Sequence, residues 1–194
     1  MYNGCITGNT AAAGNGGGVW NENAFMMLGG SITGNSATKE AEYNGYGGGV
    51  YNCGYGTDVT CQIKGNAVIS NNSASNGGGI CNVDILLIDG RATVKNNNAV
   101  NGGGVWNGGS PEDTRVTMSG DSSITGNTAT YGGGGVYTCE GYFGMEGNAR
   151  IASNSVSDGS GGGVFHSGDM FSMDGGSITE NTGGGIFVNS RNEV

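Results

Sequence analysis

Seven positions carry a ring or a thiol one residue after the aliphatic member of a Gly-Gly-Gly-aliphatic segment: Trp20, Tyr51, Cys81, Trp106, Tyr137, Phe165 and Phe187. Rings gathered on one surface can stack on one another, or offer flat faces to sugars and protein partners. Tyr43, Tyr46 and Tyr55 fall in longer insertions and are further candidates for contact with a polysaccharide or a host-surface glycan or protein. A second set of candidates is acidic. Asp89, Glu146 and Asp174 each stand before the glycine of an apolar-x-Gly triplet. Glu146 and Asp174 belong to consecutive repeats, so stacked repeats would bring their carboxylates within about 5 Å. Like charges that close raise each other's pKa or recruit a cation such as calcium; the alternative is a pair of solvated acids. Cys53 and Cys61 bracket one insertion at a spacing that a disulfide could close, whereas Cys81 and Cys139 stand at different positions of distant repeats.

General acid–base catalysis needs ionisable groups converging on one place. Here the seven Lys and Arg residues are scattered singly, and no Asp-Asp or Asp-x-Asp pair occurs. The nearest acid pairs, Glu40/Glu42 and Glu112/Asp113, fall in expected loops. His166, the only histidine, follows a GGGVF segment with no nucleophile motif around it, which predicts a surface or packing role. The residues therefore assemble no catalytic constellation. A net charge of −9 makes a nucleic-acid backbone an unsuitable partner. No apolar run approaches the length of a membrane-spanning helix.

The elements that would position these residues are repeats. Gly-Gly-Gly-aliphatic segments begin at Gly16, Gly47, Gly77, Gly102, Gly133, Gly161 and Gly183, spaced 31, 30, 25, 31, 28 and 22 residues apart by direct count. Before each lies an aliphatic residue, any two residues, then asparagine, as in Ile6/Asn9, Ile32/Asn35, Ile69/Asn72, Val94/Asn97, Ile124/Asn127, Ile151/Asn154 and Ile178/Asn181. The apolar-x-Gly triplet, exemplified by Met118-Ser119-Gly120, is the third element. These pieces are too short for helices and alternate as strands do. Short strands repeated in line predict an all-β, single-stranded parallel β-helix of about six to seven coils, whose right hand is what the resemblance given below implies. Its core would hold one column each from the GGG-aliphatic, aliphatic-x-x-Asn and apolar-x-Gly elements. The asparagines would stack as a ladder at one turn.

GGGV(W/Y), xMxGG and SITGN(T/S)A resemble the right-handed parallel β-helix repeats of bacterial surface and adhesin-like proteins, within the broad pectin-lyase-like architecture. The resemblance covers almost all of residues 1–194, read as one repeat domain. It implies a non-catalytic, secreted or cell-surface adhesin-like module that spaces or presents binding loops. The alternative is a carbohydrate-binding or polysaccharide-degrading domain. No cofactor is expected beyond the calcium considered above. The chain begins in mid-repeat without an evident cap at either end, so it is expected to be a segment of a longer surface protein and to associate end to end through open strand edges.

Overall fold

A computed structural model describes residues 1–38, 45–54, 61–110 and 112–189. Among them there is no helix, and every strand pairing is parallel: the chain winds into a β-solenoid of about six turns. Three long sheets form its walls. An isoleucine sheet runs from Cys5–Thr7 to Ser177–Thr179, and a valine sheet from Val19–Asn21 to Ile186–Val188, each of seven strands. A methionine sheet of six strands runs from Phe25–Met27 to Met170–Met173. Two smaller sheets lie between the isoleucine and valine walls.

Register follows the repeat. Ile6, Ile32, Ile69, Val94, Ile124, Ile151 and Ile178 are successive partners, as are Val19, Val50, Ile80, Val105, Val136, Val164 and Ile186. Met27, Ile63, Ile88, Met118, Met145 and Met173 form the third expected column. Away from the ends these side chains are fully buried, each contributing about 1.5–3 kcal/mol through apolar burial. The methionine sheet adds a fourth inward column that the repeat pattern had not revealed: Phe25, Cys61, Leu86, Val116, Phe143 and Phe171.

The triple glycine is a packing requirement, as one copy illustrates. Gly47 has φ 66°, in the left-handed region where glycine is free of strain. A Cβ on Gly48 would lie 2.4 Å from the Ser73 carbonyl oxygen, and one on Gly49 would lie 2.6 Å from that of Gly79. Only a chain without side chains can let the next coil approach so closely.

The expected asparagine ladder is present in full. From Asn9 to Asn181, each backbone N–H donates to the Oδ1 of the asparagine one coil on, at 2.9 Å. The Nδ2 group donates to the same Oδ1. From Asn35 onward, Nδ2 also donates back to the aliphatic carbonyl of the previous coil, as Asn97 does to Ile69 at 3.2 Å. Inside the ladder every amide is saturated. A different corner shows the opposite case. Ser122 is buried with its Oγ unpartnered, in a turn position that Ala92 and Ala149 fill in the coils on either side.

These two sites predict opposite outcomes in urea denaturation. Asn97→Ala strands the Asn72 donors, the Ile69 carbonyl and part of the Asn127 acceptor capacity, and is expected to cost about 3 kcal/mol or more. Ser122→Ala removes an orphaned hydroxyl and is expected to stabilise by about 1 kcal/mol.

Candidate functional site

The outer face of the valine sheet gathers the aromatic candidates. Trp20, Tyr51, Cys81, Trp106, Tyr137, Phe165 and Phe187 are successive register partners, because each follows an inward aliphatic residue and strand side chains alternate. The rings form two groups. Tyr137 and Phe165 stack at 4.7 Å with an interplanar angle of 8°, and Phe165 and Phe187 at 5.0 Å and 25°. In this group the ring faces cover one another, leaving mainly edges for any ligand. Trp20 meets Tyr51 edge-on, at 5.5 Å and 87°. It is the most exposed ring of the row, at 54%, and its Nε1 donates to Glu22 Oε1 at 3.1 Å.

Tyr46 is not the free loop aromatic that its place in an insertion suggested. It is half-buried, 6.2 Å from the Tyr51 ring and 5.9 Å from that of Trp106. It thus spans the place in the row where Cys81 supplies no ring, and Cys81 is fully buried although its strand position faces outward. Tyr43 and Tyr55 lie outside the described residues.

The thiols are likewise placed by packing. All five cysteines are free, so the bridge that the Cys53–Cys61 spacing would allow is not formed. Cys61 points into the core between its register partners Phe25 and Leu86, whereas the buried Cys53 directs its Sγ to the Asn21 carbonyl at 3.4 Å. Burial pushes the Cys61 thiol up to about 12. Cys81 is also held well above the ordinary thiol range, first by burial and then by the neighbouring Cys139 and Cys53. Burial raises Cys53 too, opposed by a hydrogen bond with Trp20.

Glu146 and Asp174 do occupy equivalent positions in consecutive coils. Their N–H groups donate to Met118 and Met145, which are partners in the methionine column. Both are exposed, and Asp174 Oδ2 accepts from Ser172 Oγ at 2.9 Å. Among the described residues no three His, Cys, Asp or Glu side chains are grouped to hold a metal ion. Two of the scattered bases are engaged locally: Arg115 lies over the Tyr142 ring, and Arg150 pairs with Glu180 at 3.5 Å.

One buried polar row escaped the sequence reading. The third residue of each valine-sheet strand points inward with the valine, giving Asn21, Asn52, Asn82 and Asn107 in register. Their amides donate from each to the next at 2.7, 2.7 and 2.8 Å. The signal was legible as VWN, VYN, ICN and VWN. Further along, Thr138, His166 and Val188 take the same place. There the row loses its complementarity: Thr138 Oγ1 and His166 Nδ1 are buried without partners. His166 is 3% exposed, beside the Phe171 ring at 5.9 Å. It is therefore a packing residue. Desolvation lowers its pKa below the usual histidine value, partly offset by Asp169.

Comparison with protein families, with curated proteins and with solved structures finds no match to this chain.

Thiolate is the reactive form of cysteine, so brief alkylation of the native protein at mildly alkaline pH should label the exposed Cys5 first. Cys61 and Cys81 should stay unmodified until denaturant is added, as read by peptide mass spectrometry. His166 generates an acid-side prediction. Its folded pKa is depressed, so between the folded value and the unfolded value near 6.5 the unfolded chain binds more protons. Its contribution to stability is complete above about pH 6.5 and is lost as pH falls below that value. His166→Asn should remove this component from the pH profile of the urea midpoint while leaving the carboxylate-dependent part.

Proposed function

We propose that the chain is a non-catalytic, adhesin-like β-helix module of a secreted or cell-surface protein, which spaces or presents binding loops. The observation that carries this reading is the unbroken Asn9-to-Asn181 ladder, which ties every coil to the next. A rod tied in this way holds its register while its turns vary in length. The repeat spacing accordingly ranges from 22 to 31 residues, with longer insertions at 38–46, 53–61 and 107–115. In the last of these, Ser110, Glu112 and Asp113 are exposed at the surface of a rigid wall. The motif resemblance to bacterial surface repeats and to the pectin-lyase-like architecture points the same way.

Carbohydrate binding is the second reading, and Trp20 favours it. An exposed indole with a carboxylate on its N–H combines a stacking surface with a hydrogen-bond acceptor for sugar hydroxyls. Calcium at Glu146 and Asp174 belongs to the same reading, as a bridge to an acidic polysaccharide.

A panel of polysaccharides and host-surface glycoproteins, scored for both binding and cleavage with and without calcium, separates these readings. The expected result is binding without cleavage that survives Trp20→Ala and is lost when the loop at 108–114 is shortened. Binding that falls about tenfold or more in Trp20→Ala would favour the carbohydrate reading instead. Release of new sugar ends, abolished in Glu146→Ala or Asp174→Ala, would overturn the non-catalytic assignment.

A further inference from the structure

The three walls differ in what they turn outward. The valine sheet presents rings, and the isoleucine sheet mainly serine and threonine. The methionine sheet is different again. Its six strands contain no acidic residue and one base, Arg115, on a chain that carries 16 acids and a net charge of −9. Arg115 stands in the middle of this wall, with Ile85 as its register partner in the coil before and Tyr142 in the coil after.

The guanidinium is held in place. Its carbon sits 4.9 Å from the centre of the Tyr142 ring. That ring lies down along its own strand, over Gly144: a Cβ on this glycine would fall 2.6 Å from the ring atoms Cε1 and Cζ. The coils on either side fill the same outward position with Thr117 and Ser172. The missing side chain makes room for a flat ring, and the flat ring fixes the cation. Arg115 is nonetheless exposed, and no carboxylate pairs with it among the described residues, in contrast to Arg150 with Glu180. Asp84 is buried and offers Arg115 only its backbone carbonyl, and Asp113 is exposed in the preceding turn. A stacked guanidinium keeps N–H donors along its edge, spaced to take both oxygens of one carboxylate. On its other side the half-buried Ile85 and Leu87 form an apolar shoulder one coil, about 5 Å, away. Thr117, the next outward residue of the same strand, adds a hydroxyl.

We infer that this patch binds a terminal, N-acylated acidic sugar of a surface glycan, its carboxylate on Arg115 and its acyl methyl on Ile85 and Leu87. Thr117 is placed to bond a sugar hydroxyl. A chain of net charge −9 with one cation on this wall repels a polyanion, so a singly charged sugar at the end of a glycan fits better than an acidic polysaccharide. The site is an open sheet face rather than a cleft, and a Kd of about 1 mM is expected for one sugar. The inference rests on the reading of the chain as a binding module and supplies its ligand class: the loop at 108–114 leads directly into Arg115.

Titration of the isotope-labelled chain with sialyllactose, followed by NMR, tests it, with circular dichroism to verify that each variant is folded. Sialyllactose should shift the resonances of Leu87, Arg115 and Thr117, and lactose should shift none of them. Equal shifts with both sugars, or none with either, would overturn the inference. Arg115→Met should weaken binding about tenfold or more, and Arg115→Lys about fivefold because lysine lacks the planar fork. An unchanged Kd in Arg115→Met would refute the site. Gly144→Ala leaves the cation in place but displaces the ring beside it, and should weaken binding about threefold; no change would count against the stacked guanidinium. Acetate binding as tightly as sialyllactose, or polygalacturonate binding more tightly, would overturn the assignment to a terminal N-acylated sugar. Glycoprotein binding that is lost on shortening the 108–114 loop but unchanged in Arg115→Met would leave the module reading standing and overturn this one.

Discussion

A primary amide has two N–H donors and one oxygen able to accept twice, and the turn between the isoleucine wall and the glycine segment needs both capacities in every coil. The ladder from Asn9 to Asn181 meets that need with groups of the chain itself. Each Oδ1 takes a backbone and a side-chain hydrogen from the coil before, and from Asn35 onward each Nδ2 also returns a bond to an aliphatic carbonyl. Much of the architecture depends on this row. The third glycine of every triplet but the last packs against it: a Cβ on Gly49 would meet Asn72 Nδ2 at 3.0 Å and the Ile69 side chain at 3.0 Å. Asparagine spacing, isoleucine column and triple glycine are one device seen from three sides.

The inner row of the valine sheet applies the same chemistry less completely. Asn21, Asn52, Asn82 and Asn107 chain their amides, but Thr138 and His166 continue the row with buried polar atoms that find no partner. In a solenoid each coil is stabilised mainly by its neighbours, so such a change creates a local gradient in stability along the rod. The isoleucine-side ladder crosses the same coils unbroken, through Asn127, Asn154 and Asn181. Two parallel rows of hydrogen bonds allow one to vary while the other preserves register.

On the outside, the valine sheet shows how packing reassigns residues that look alike in the repeat. Trp20 and Phe165 occupy equivalent positions, yet one is mostly exposed beside a carboxylate while the other lies between two stacked rings. Cys81 occupies the same position again and is fully buried, while Tyr46, from a different segment of the coil below, sets its ring near those of the two flanking partners Tyr51 and Trp106. Candidate binding surface on this face is thus concentrated at Trp20 and the turns, and the middle of the row is largely occupied with itself.

The sequence by itself determined the parallel all-β solenoid, its apolar columns and its asparagine ladder, because those features repeat and a repeated spacing becomes a spatial column once coils stack. It also placed the rings of the GGG segments in one row, since strand alternation depends only on counting residues. The tertiary structure decided what depends on contacts between non-equivalent segments. Tyr46 joins the ring row between Tyr51 and Trp106, Cys61 turns into the core instead of bridging to Cys53, and His166 becomes an inner residue flanked by Phe171. The second asparagine row lies between these cases: its spacing was present in VWN and VYN, but its inward direction emerged only once the structure buried the asparagine on the same face as the valine two residues before it. Periodicity encodes what stacks on its own copy, whereas the meeting of unlike segments is set by the path of the turns, which vary in length from coil to coil and carry no repeat.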